Sequence, residues 1–242
     1  MADRDNELVE LIRAALAAHA DPDRAAAQQR YMRSAMPFWG ICAPDLRRVL
    51  RPLLGDLSHR ITDLRTWSAT VQTLWDEASH REERYAATAL SGHRWYQSFQ
   101  TPAAVPLYRH MIVTGAWWDL VDELAARRVG GILRDYPRSE SERMRAWARQ
   151  DDLWLRRSAI IAQLSLGDAT DLDLLGDVID ANLEGSPFGA EFFIRKAIGW
   201  ALRQYARTDP EWVLRFVSSR GARLSGLSRR EACKHLGTPS PR

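Results

Sequence analysis

Trp118 and Asp122 stand one helical turn apart and are the pair of residue types best suited to chemistry on a charged substrate. Residues four apart on a helix share a face. None of the residues three or four positions from Asp122 is basic. A carboxylate on a partly apolar face without a partner on its own helix has to be paired from elsewhere, exposed in a groove, or shifted in pKa. The pair is therefore a candidate for stabilising positive charge in a ligand.

A repeat in the sequence nominates the partner of this carboxylate. Four polar residues interrupt alanine-rich apolar stripes at separations of 38, 35 and 39 residues: Arg84, Asp122, Arg157 and Lys196. This period is a little under the roughly 40–47 residues of HEAT and armadillo repeats, which stack helix pairs. Equivalent positions would line one continuous surface, so we expect Asp122, Arg157 and Lys196 side by side, with Arg157 as the partner of Asp122. Lys196 and Trp200 repeat the one-turn spacing.

A structural interpretation of the same residues stays open. Most of the ten tryptophans are expected in the core of the repeats, as aromatic side chains usually are, and this set includes Trp67, Trp75, Trp95, Trp147 and Trp212. A salt bridge between repeats explains Asp122 as well as catalysis does. The coincidence of an aromatic ring, a carboxylate and a guanidinium on one predicted surface favours function.

Other classes of site have little support in the sequence. The six histidines show no HxxxH spacing, and the two cysteines, Cys42 and Cys233, lie far apart. A zinc site, a histidine base or a disulfide scaffold is therefore not expected. No glycine-rich phosphate loop and no catalytic triad context is present. We expect neither a metal nor a cofactor.

The elements that carry these residues are predicted to be helices throughout. Apolar residues recur at spacings of three and four, as in Leu8, Leu11, Ile12 and Leu16, and strand-like alternation is absent. Glycine, proline and aspartate breakers cut the chain into at least ten periodic segments. The prediction is an all-α, HEAT-like repeat solenoid of stacked antiparallel helix pairs, forming a single domain over residues 1–242 with a concave face that binds DNA.

Charge is distributed unevenly along the chain. The formal net charge is only +3, but from Arg195 onward eleven basic residues face three acidic ones. Such asymmetry suits a polyanion at one end, although the preference for arginine equally fits a GC-rich genome. We expect Arg195, Lys196 and Arg203 to bind DNA. Without an apolar run long enough to span a membrane or a signal-like N-terminus, the protein is expected to be soluble, cytoplasmic and monomeric.

Five ordered motifs resemble AlkD and the HEAT-like-repeat DNA glycosylases of the DNA alkylation repair family. They cover nearly the whole chain: Tyr31-Met32 with Pro37-Phe38-Trp39-Gly40-Ile41, Arg81-Glu82-Glu83-Arg84-Tyr85-Ala86-Ala87, Trp117-Trp118-Asp119-Leu120-Val121-Asp122, Trp154-Leu155-Arg156-Arg157-Ser158-Ala159, and Phe192-Phe193-Ile194-Arg195-Lys196-Ala197-Ile198-Gly199-Trp200. Two departures from the family are Cys42-Ala43, where polar residues are common, and a long loop from Leu183 to Ala190.

The resemblance implies both an activity and a site. By similarity, Trp118, Asp122, Arg157 and Trp200 fall on the catalytic positions of the family, and Tyr31 falls on an aromatic residue that faces DNA. The implied reaction is hydrolysis of the N-glycosidic bond of cationic N3- or N7-alkylated purines, such as 3-methyladenine and 7-methylguanine, in duplex DNA. The family is thought to do this without drawing the base into a deep pocket, unlike most glycosylases.

Two other functions remain as alternatives. A non-catalytic HEAT-like module would recognise distorted or branched DNA by its shape and backbone charge, and the presence of Asp122 is the feature that argues against it. A HEAT scaffold for protein partners would present an apolar groove in place of a basic one.

Overall fold

The computed structural model describes residues 4–236, in which every regular element is helical and no strand occurs. This part of the chain contains fourteen α-helices joined by turns and short 3₁₀ segments. The helices pack in pairs, which is consistent with a HEAT-like helical solenoid. The predicted all-α class is therefore confirmed. The chain divides into two compact units, Met1–Phe99 and Gln100–Arg242.

The first unit contains five α-helices, and aspartates start three of them. The side chains of Asp5, Asp21 and Asp63 each accept a hydrogen bond from a backbone N–H of the first turn, which satisfies a donor that the helix leaves unpaired. The helices are α1 (Asn6–Ala18), α2 (Pro22–Met32), α3 (Ala43–Leu54), α4 (Leu64–Asp76) and α5 (Arg81–Ser91). Helix α5 packs against α1, α3 and α4.

Within residues 100–236 the second unit contains nine α-helices, and three more aspartate caps, Asp152, Asp171 and Asp209, begin helices in the same way. The helices are α6 (Val105–Gly115), α7 (Trp118–Glu123), α8 (Gly130–Asp135), α9 (Pro137–Trp147), α10 (Leu153–Ile161), α11 (Leu172–Asp180), α12 (Phe192–Tyr205), α13 (Pro210–Arg220) and α14 (Gly226–Ala232). Helix α10 is central, since it packs against α6, α7, α9, α11 and α12.

The tryptophans divide between the core and the margins of each unit. Trp67, Trp75 and Trp147 are buried, as predicted. Trp95 and Trp212 are only half-buried. The indole therefore serves more often at the edge of a helix pair here than the sequence prediction allowed, which agrees with a side chain that has an apolar body and one polar N–H.

The loop before α3 is fixed by a carboxylate of α5. Glu82 is fully buried, and its two oxygens accept hydrogen bonds from the backbone N–H groups of Trp39, Gly40 and Ile41 at 2.9, 2.9 and 3.0 Å. Gly40 has a φ of +86°, and a Cβ there would lie 2.0 Å from the carbonyl oxygen of Asp21. Only glycine fits this close approach of two backbone segments.

None of the helices within residues 4–236 is long and apolar enough to cross a bilayer. The expectation that the chain forms one cooperative domain stays a prediction, and a single unfolding transition would be its signature.

Candidate active site

The carboxylate of Asp122 and the guanidinium of Arg157 meet as a two-point ion pair. Arg157 lies on α10 and donates from Nε to Oδ1 of Asp122 at 2.7 Å and from Nη2 to Oδ2 at 2.8 Å. The fork geometry of arginine matches a carboxylate in this way and gives orientation as well as attraction. The partner that the repeat spacing nominated for Asp122 is therefore confirmed as a contact.

The same guanidinium also holds a third helix. Its Nη1 donates to the backbone carbonyl oxygen of Phe193, in the first turn of α12, at 2.6 Å. The Arg157 side chain is only 6% exposed, whereas 16% of the Asp122 side chain remains exposed. All three guanidinium nitrogens of Arg157 are thus committed to protein acceptors, and the carboxylate is the member of the pair that a ligand can reach.

An aromatic cluster packs behind the ion pair. Trp117, Trp154 and Phe193 lie with ring centroids 5.0 to 6.2 Å apart in tilted and edge-on arrangements. Phe193 also lies under the guanidinium of Arg157, at 5.8 Å. Offset and edge-on packing of this kind stabilises aromatic groups beyond the burial of their area. The cluster gives the site a stiff apolar wall that limits the positions open to the Arg157 side chain.

The two adjacent tryptophans at the start of α7 have different environments. Trp117 is the N-cap residue with an extended backbone, whereas Trp118 is the first helical residue. The change of backbone conformation between them sends consecutive side chains in different directions. Trp117 is half-buried in the cluster, and Trp118 is 37% exposed. An indole face therefore remains available to a ligand one turn from Asp122.

The environment of Asp122 acts on its acidity in two opposing ways. Burial raises the pKa of this carboxyl above its usual value, while the hydrogen bonds and positive charge of Arg157 lower it. The net direction is upward, and the neighbouring charge of Asp119 contributes to it. Protonation of Asp122 is therefore less costly than for an exposed aspartate, and Arg157 is the group that favours the ionised form.

The backbone is irregular immediately after Asp122. Residues Leu124–Val129 form a π-helical turn between α7 and α8. Such turns are rare and frequently occur at functional sites. Glu123, next to Asp122, turns away and pairs with Arg127 and Arg128 at 3.1 and 3.2 Å. Two adjacent carboxylates thus have different surroundings: Asp122 pairs with an arginine of another helix, whereas Glu123 pairs with two arginines that follow it in sequence.

A stripe of half-buried side chains runs along α12 from the ion pair. We call Phe193, Lys196, Trp200 and Arg203 the α12 stripe; their spacing of three, four and three places them on one face of the helix. Trp200 lies seven residues after Phe193, about 10 Å further along the helix axis. The indole predicted as catalytic and two of the predicted DNA-binding cations therefore share a face that starts where Arg157 is bound.

The cations of the stripe have partners that the sequence prediction did not foresee. Lys196 was expected beside Asp122 and Arg157, but its Nζ pairs with Oε1 of Glu231 at 3.1 Å. Arg203 pairs with the other oxygen of Glu231 at 2.6 Å. The reason is close packing of α14 on α12, which places a carboxylate within reach of both cations.

Arg195 points to the long loop before α12. Its guanidinium pairs with Glu184 at 2.7 Å and donates to the carbonyl oxygen of Gly189 at 3.1 Å. A Cβ at Gly189 would lie 2.1 Å from the carbonyl oxygen of Leu183, so the loop folds tightly back on itself. The side chain of Arg195 is still 32% exposed, but its contacts with Glu184 and Gly189 mainly stabilise the loop before α12.

The remaining predicted DNA-facing residue lies in the first unit. Tyr31 on α2 is 78% exposed. Near it in sequence, Cys42 is the N-cap residue of α3, and its thiol donates to Asp45 at 2.9 Å. Where the family often carries polar side chains, this chain thus has a thiol already bound to a carboxylate.

Sequence reasoning missed two groups that shape the site. The carbonyl of Phe193 is a backbone group, and its role as an acceptor cannot be predicted from the residue type. Glu231 could have been found, because it is one of only three acidic residues after Arg195 in the basic segment. Within residues 4–236, no group of three or more His, Cys, Asp and Glu residues is arranged to hold a metal ion.

Comparison with known proteins identifies the family. A sequence model described as DNA alkylation repair enzyme matches residues 12–236. The chain belongs to this family. Membership of the DNA alkylation repair enzyme family gives it a role in DNA repair, and confirms the resemblance inferred from the motifs.

A solved structure of the same kind is similar over most of both chains. It is described as a predicted DNA alkylation repair enzyme from Enterococcus faecalis, and it aligns with a TM-score of 0.79 and 29% sequence identity over 91% of this chain and 98% of its own. A search of curated proteins gave no significant match. The alkylation repair family is therefore supported both by sequence over the whole site and by the fold.

Proposed function

We propose that this member of the DNA alkylation repair enzyme family is a DNA glycosylase that hydrolyses the N-glycosidic bond of cationic N3- or N7-alkylated purines in duplex DNA. The observation that carries the proposal is the part-exposed carboxylate of Asp122, held at both oxygens by Arg157. A carboxylate fixed by a buried arginine yet open on one side is arranged for a positively charged ligand.

The chemistry of the substrate matches such a site. A base that already carries positive charge leaves without protonation, so no general acid is needed, and the barrier lies in the oxocarbenium character of the sugar. An ionised carboxylate has about four lone-pair positions, of which Arg157 occupies two. Asp122 retains acceptors with which to stabilise the sugar cation and to orient the attacking water.

The exposed indole face of Trp118 would add a second, softer attraction. An aromatic ring attracts a cation through its quadrupole, at about 0.5–2 kcal/mol for each contact. Trp118 is 37% exposed one turn from Asp122, and Trp200 is half-buried on the α12 stripe. Both rings would also hold the sugar and the base in the ground state, so they contribute to binding as well as to the rate.

Arg157 acts in this proposal as a positioning residue. Its contacts with Asp122 and with the carbonyl of Phe193 use each of its nitrogens, which favours orientation of the carboxylate over a grip on a flanking phosphate. It keeps Asp122 in one rotamer and in its charged form.

Contacts with the DNA backbone are assigned to exposed and half-exposed residues. Tyr31, Arg195, Lys196 and Arg203 are accessible to different degrees. Phosphate contacts of this type carry no sequence information, and their strength falls steeply with salt. Binding to undamaged duplex is therefore expected to be sequence-tolerant and salt-dependent.

The experiment that tests the function is release of 7-methylguanine from methylated duplex DNA under single-turnover conditions. Asp122→Asn keeps size and one acceptor but removes the charge, and excision is expected to fall about 100-fold or more with little loss of DNA affinity. Glu123→Gln is the matched control, because it removes the carboxylate next to Asp122, whose described partners are the exposed Arg127 and the part-buried Arg128 and not Arg157.

The opposite result would favour the alternative function. If wild-type protein binds methylated duplex but releases no base above the uncatalysed rate, or if Asp122→Asn excises at the wild-type rate, the catalytic assignment is wrong. In the first case a non-catalytic module that binds distorted DNA by shape and charge becomes the better account of the chain, and in the second the reaction depends on a residue other than Asp122.

A further inference from the structure

Glu231 on α14 neutralises two cations of the α12 stripe. Its Oε1 lies 3.1 Å from Nζ of Lys196, and its Oε2 lies 2.6 Å from Nη1 of Arg203. Each carboxylate oxygen is thus used by a different cation. Lys196 precedes Trp200 in sequence and Arg203 follows it. The carboxylate therefore bridges two cations that flank this indole on the α12 stripe.

The position of Glu231 is set by the packing of the two helices. A Cβ on Gly199 would lie 2.4 Å from the Cβ of Glu231, so the helices approach most closely at this glycine. The hydroxyl of Ser228 donates to the carbonyl oxygen of Arg195 at 2.8 Å and fixes α14 on the same face. The Cβ of Glu231 is therefore fixed beside the α12 stripe by the packing of the two helices, and its carboxylate reaches both cations from there.

The other acidic residues of the basic segment have different tasks. Asp209 caps α13 by accepting from the backbone N–H of Trp212, and Glu211 pairs with Arg215 one turn along α13 at 3.6 Å. Within residues 195–236 only Glu231 faces the stripe. The hydrogen bond from Lys196 lowers the pKa of Glu231, so the carboxylate is charged at neutral pH.

We propose that Glu231 is an internal competitor of the DNA backbone, which occupies Lys196 and Arg203 and thereby limits the affinity of the protein for undamaged duplex. A carboxylate and a phosphate oxygen bind the same donors, so backbone phosphates must displace Glu231 to reach either cation. The inference rests on the proposed function, because it assumes that DNA lies along the α12 stripe. A repair protein that searches long undamaged DNA benefits from weak nonspecific binding, since tight binding slows its transfer between sites.

The test is the salt dependence of binding to a short, fluorescently labelled, undamaged duplex, measured by anisotropy from about 50 to 200 mM salt. Glu231→Gln keeps the Cβ and Cγ that pack at Gly199 and removes the charge. We expect it to bind about five-fold or more tightly at low salt, with a slope of log K against log salt steeper by roughly 0.9 to 1.8, which corresponds to one or two extra phosphate contacts. Adding Lys196→Gln and Arg203→Gln to this variant should abolish the gain.

Asp177→Asn is the matched control. Asp177 pairs with Arg145 between α9 and α11 at 2.7 Å, so this variant makes the same change in net charge and removes one of the two carboxylates that pair with this arginine, away from the α12 stripe. Its affinity and slope should stay near the wild-type values. Equal gains in both variants would show an effect of net charge alone and overturn the proposal.

Two further outcomes also decide the matter. Unchanged or weaker binding by Glu231→Gln, in protein whose helical circular dichroism is retained, would mean that the carboxylate does not compete with DNA. If this variant fails to fold, Glu231→Ala provides the same comparison, because it keeps the Cβ of residue 231 that packs against Gly199. Excision by the wild-type protein separates the two hypotheses. If Glu231→Gln does not bind duplex more tightly but the wild-type protein excises base, only this inference is wrong. If the wild-type protein does not excise base, the proposed function is wrong.

Discussion

The two compact units each hold a carboxylate largely away from solvent, and the two are bound by different kinds of donor. In the first unit, Glu82 is fully buried and accepts three backbone N–H groups of one loop. In the second, Asp122 accepts two hydrogen bonds from the side chain of Arg157, its one partner among the described residues, and stays 16% exposed. A carboxylate saturated by the backbone fixes the chain, whereas one held by a single side chain keeps acceptors for a ligand.

The contrast separates stability from chemistry. Backbone donors cannot move away without unfolding the loop, so Glu82 has no route to a substrate. Arg157 joins α7, α10 and α12 through side-chain and carbonyl contacts, so the geometry of Asp122 depends on how three helices pack. Substitutions at the two carboxylates and their partners should therefore fail in different assays.

The largest effect is expected from removing the partner of Asp122. Arg157→Met leaves a mostly buried carboxylate without its cation, so the pKa of Asp122, already raised by burial, should rise further. Because the proposed function requires the charged form, the acidic limb of the single-turnover excision rate should move to higher pH, with a loss of about 100-fold or more near pH 7. The profile is measured after subtraction of uncatalysed release.

Arg157→Lys tests whether orientation matters beyond charge. A lysine ammonium cannot bind both oxygens of Asp122 and the carbonyl of Phe193 in the planar fork that arginine provides. We expect the acidic limb to return most of the way to its wild-type position while the plateau rate stays well below wild type. A full recovery of the plateau rate would reduce the role of Arg157 to charge alone.

The next effect concerns stability in the first unit. Glu82→Gln replaces one acceptor oxygen by an amide NH₂ that faces backbone N–H donors, which should cost about 2–4 kcal/mol in the free energy of unfolding. Urea unfolding measures it, and excision at low temperature should be close to wild type. Glu77→Gln is the control, because Glu77 is 48% exposed and pairs with Arg4 and Arg13 at the surface, where such pairs contribute little.

A smaller effect is expected at the exposed indole of the site. Trp118→Ala removes the ring that attracts the cationic sugar in the proposed function, so excision should fall roughly three- to thirty-fold, with a parallel loss of affinity for methylated duplex. Trp118→Phe keeps an aromatic face and should recover much of both. If Trp118→Ala lowers only the free energy of unfolding, the residue belongs with Trp117 in the wall of the site and not with Asp122.

The sequence predicts the helices and the central ion pair because both follow from local periodicity. Aspartate caps and apolar spacing delimit helices directly. Asp122 and Arg157 fall on equivalent positions of the predicted repeat, and stacking of such repeats brings equivalent positions into contact. The prediction of this contact therefore needed only the spacing of 35 residues.

The partners of Lys196 and Arg203 do not follow from periodicity. Lys196 continues the same spacing, but Glu231 is supplied by a helix whose carboxylate has no counterpart in the repeat, and the distance between the two helices depends on Gly199. The contact of Arg157 with the carbonyl of Phe193 could not be predicted either, since every residue carries a backbone carbonyl. Close helix approaches and backbone acceptors are properties of packing that single residue types do not reveal.

The smallest effect should come from the first unit's exposed aromatic residue. Tyr31 is 78% exposed on α2, so Tyr31→Ala should leave the free energy of unfolding within about 0.5 kcal/mol of wild type. If its ring contacts DNA, affinity for duplex should fall about two- to five-fold, because one solvent-accessible contact contributes only a fraction of the stabilisation of a buried one. Single-turnover excision at saturating protein should be unchanged, since the contact is lost equally from bound DNA and from the transition state. Leu57→Ala is the matched control, because Leu57 is also apolar and 71% exposed in the same unit. Equal affinities of the two variants would remove Tyr31 from the DNA-binding surface, and a fall in the saturated rate of Tyr31→Ala would show that the first unit takes part in a reaction that the proposed function places at Asp122, Arg157 and Trp118.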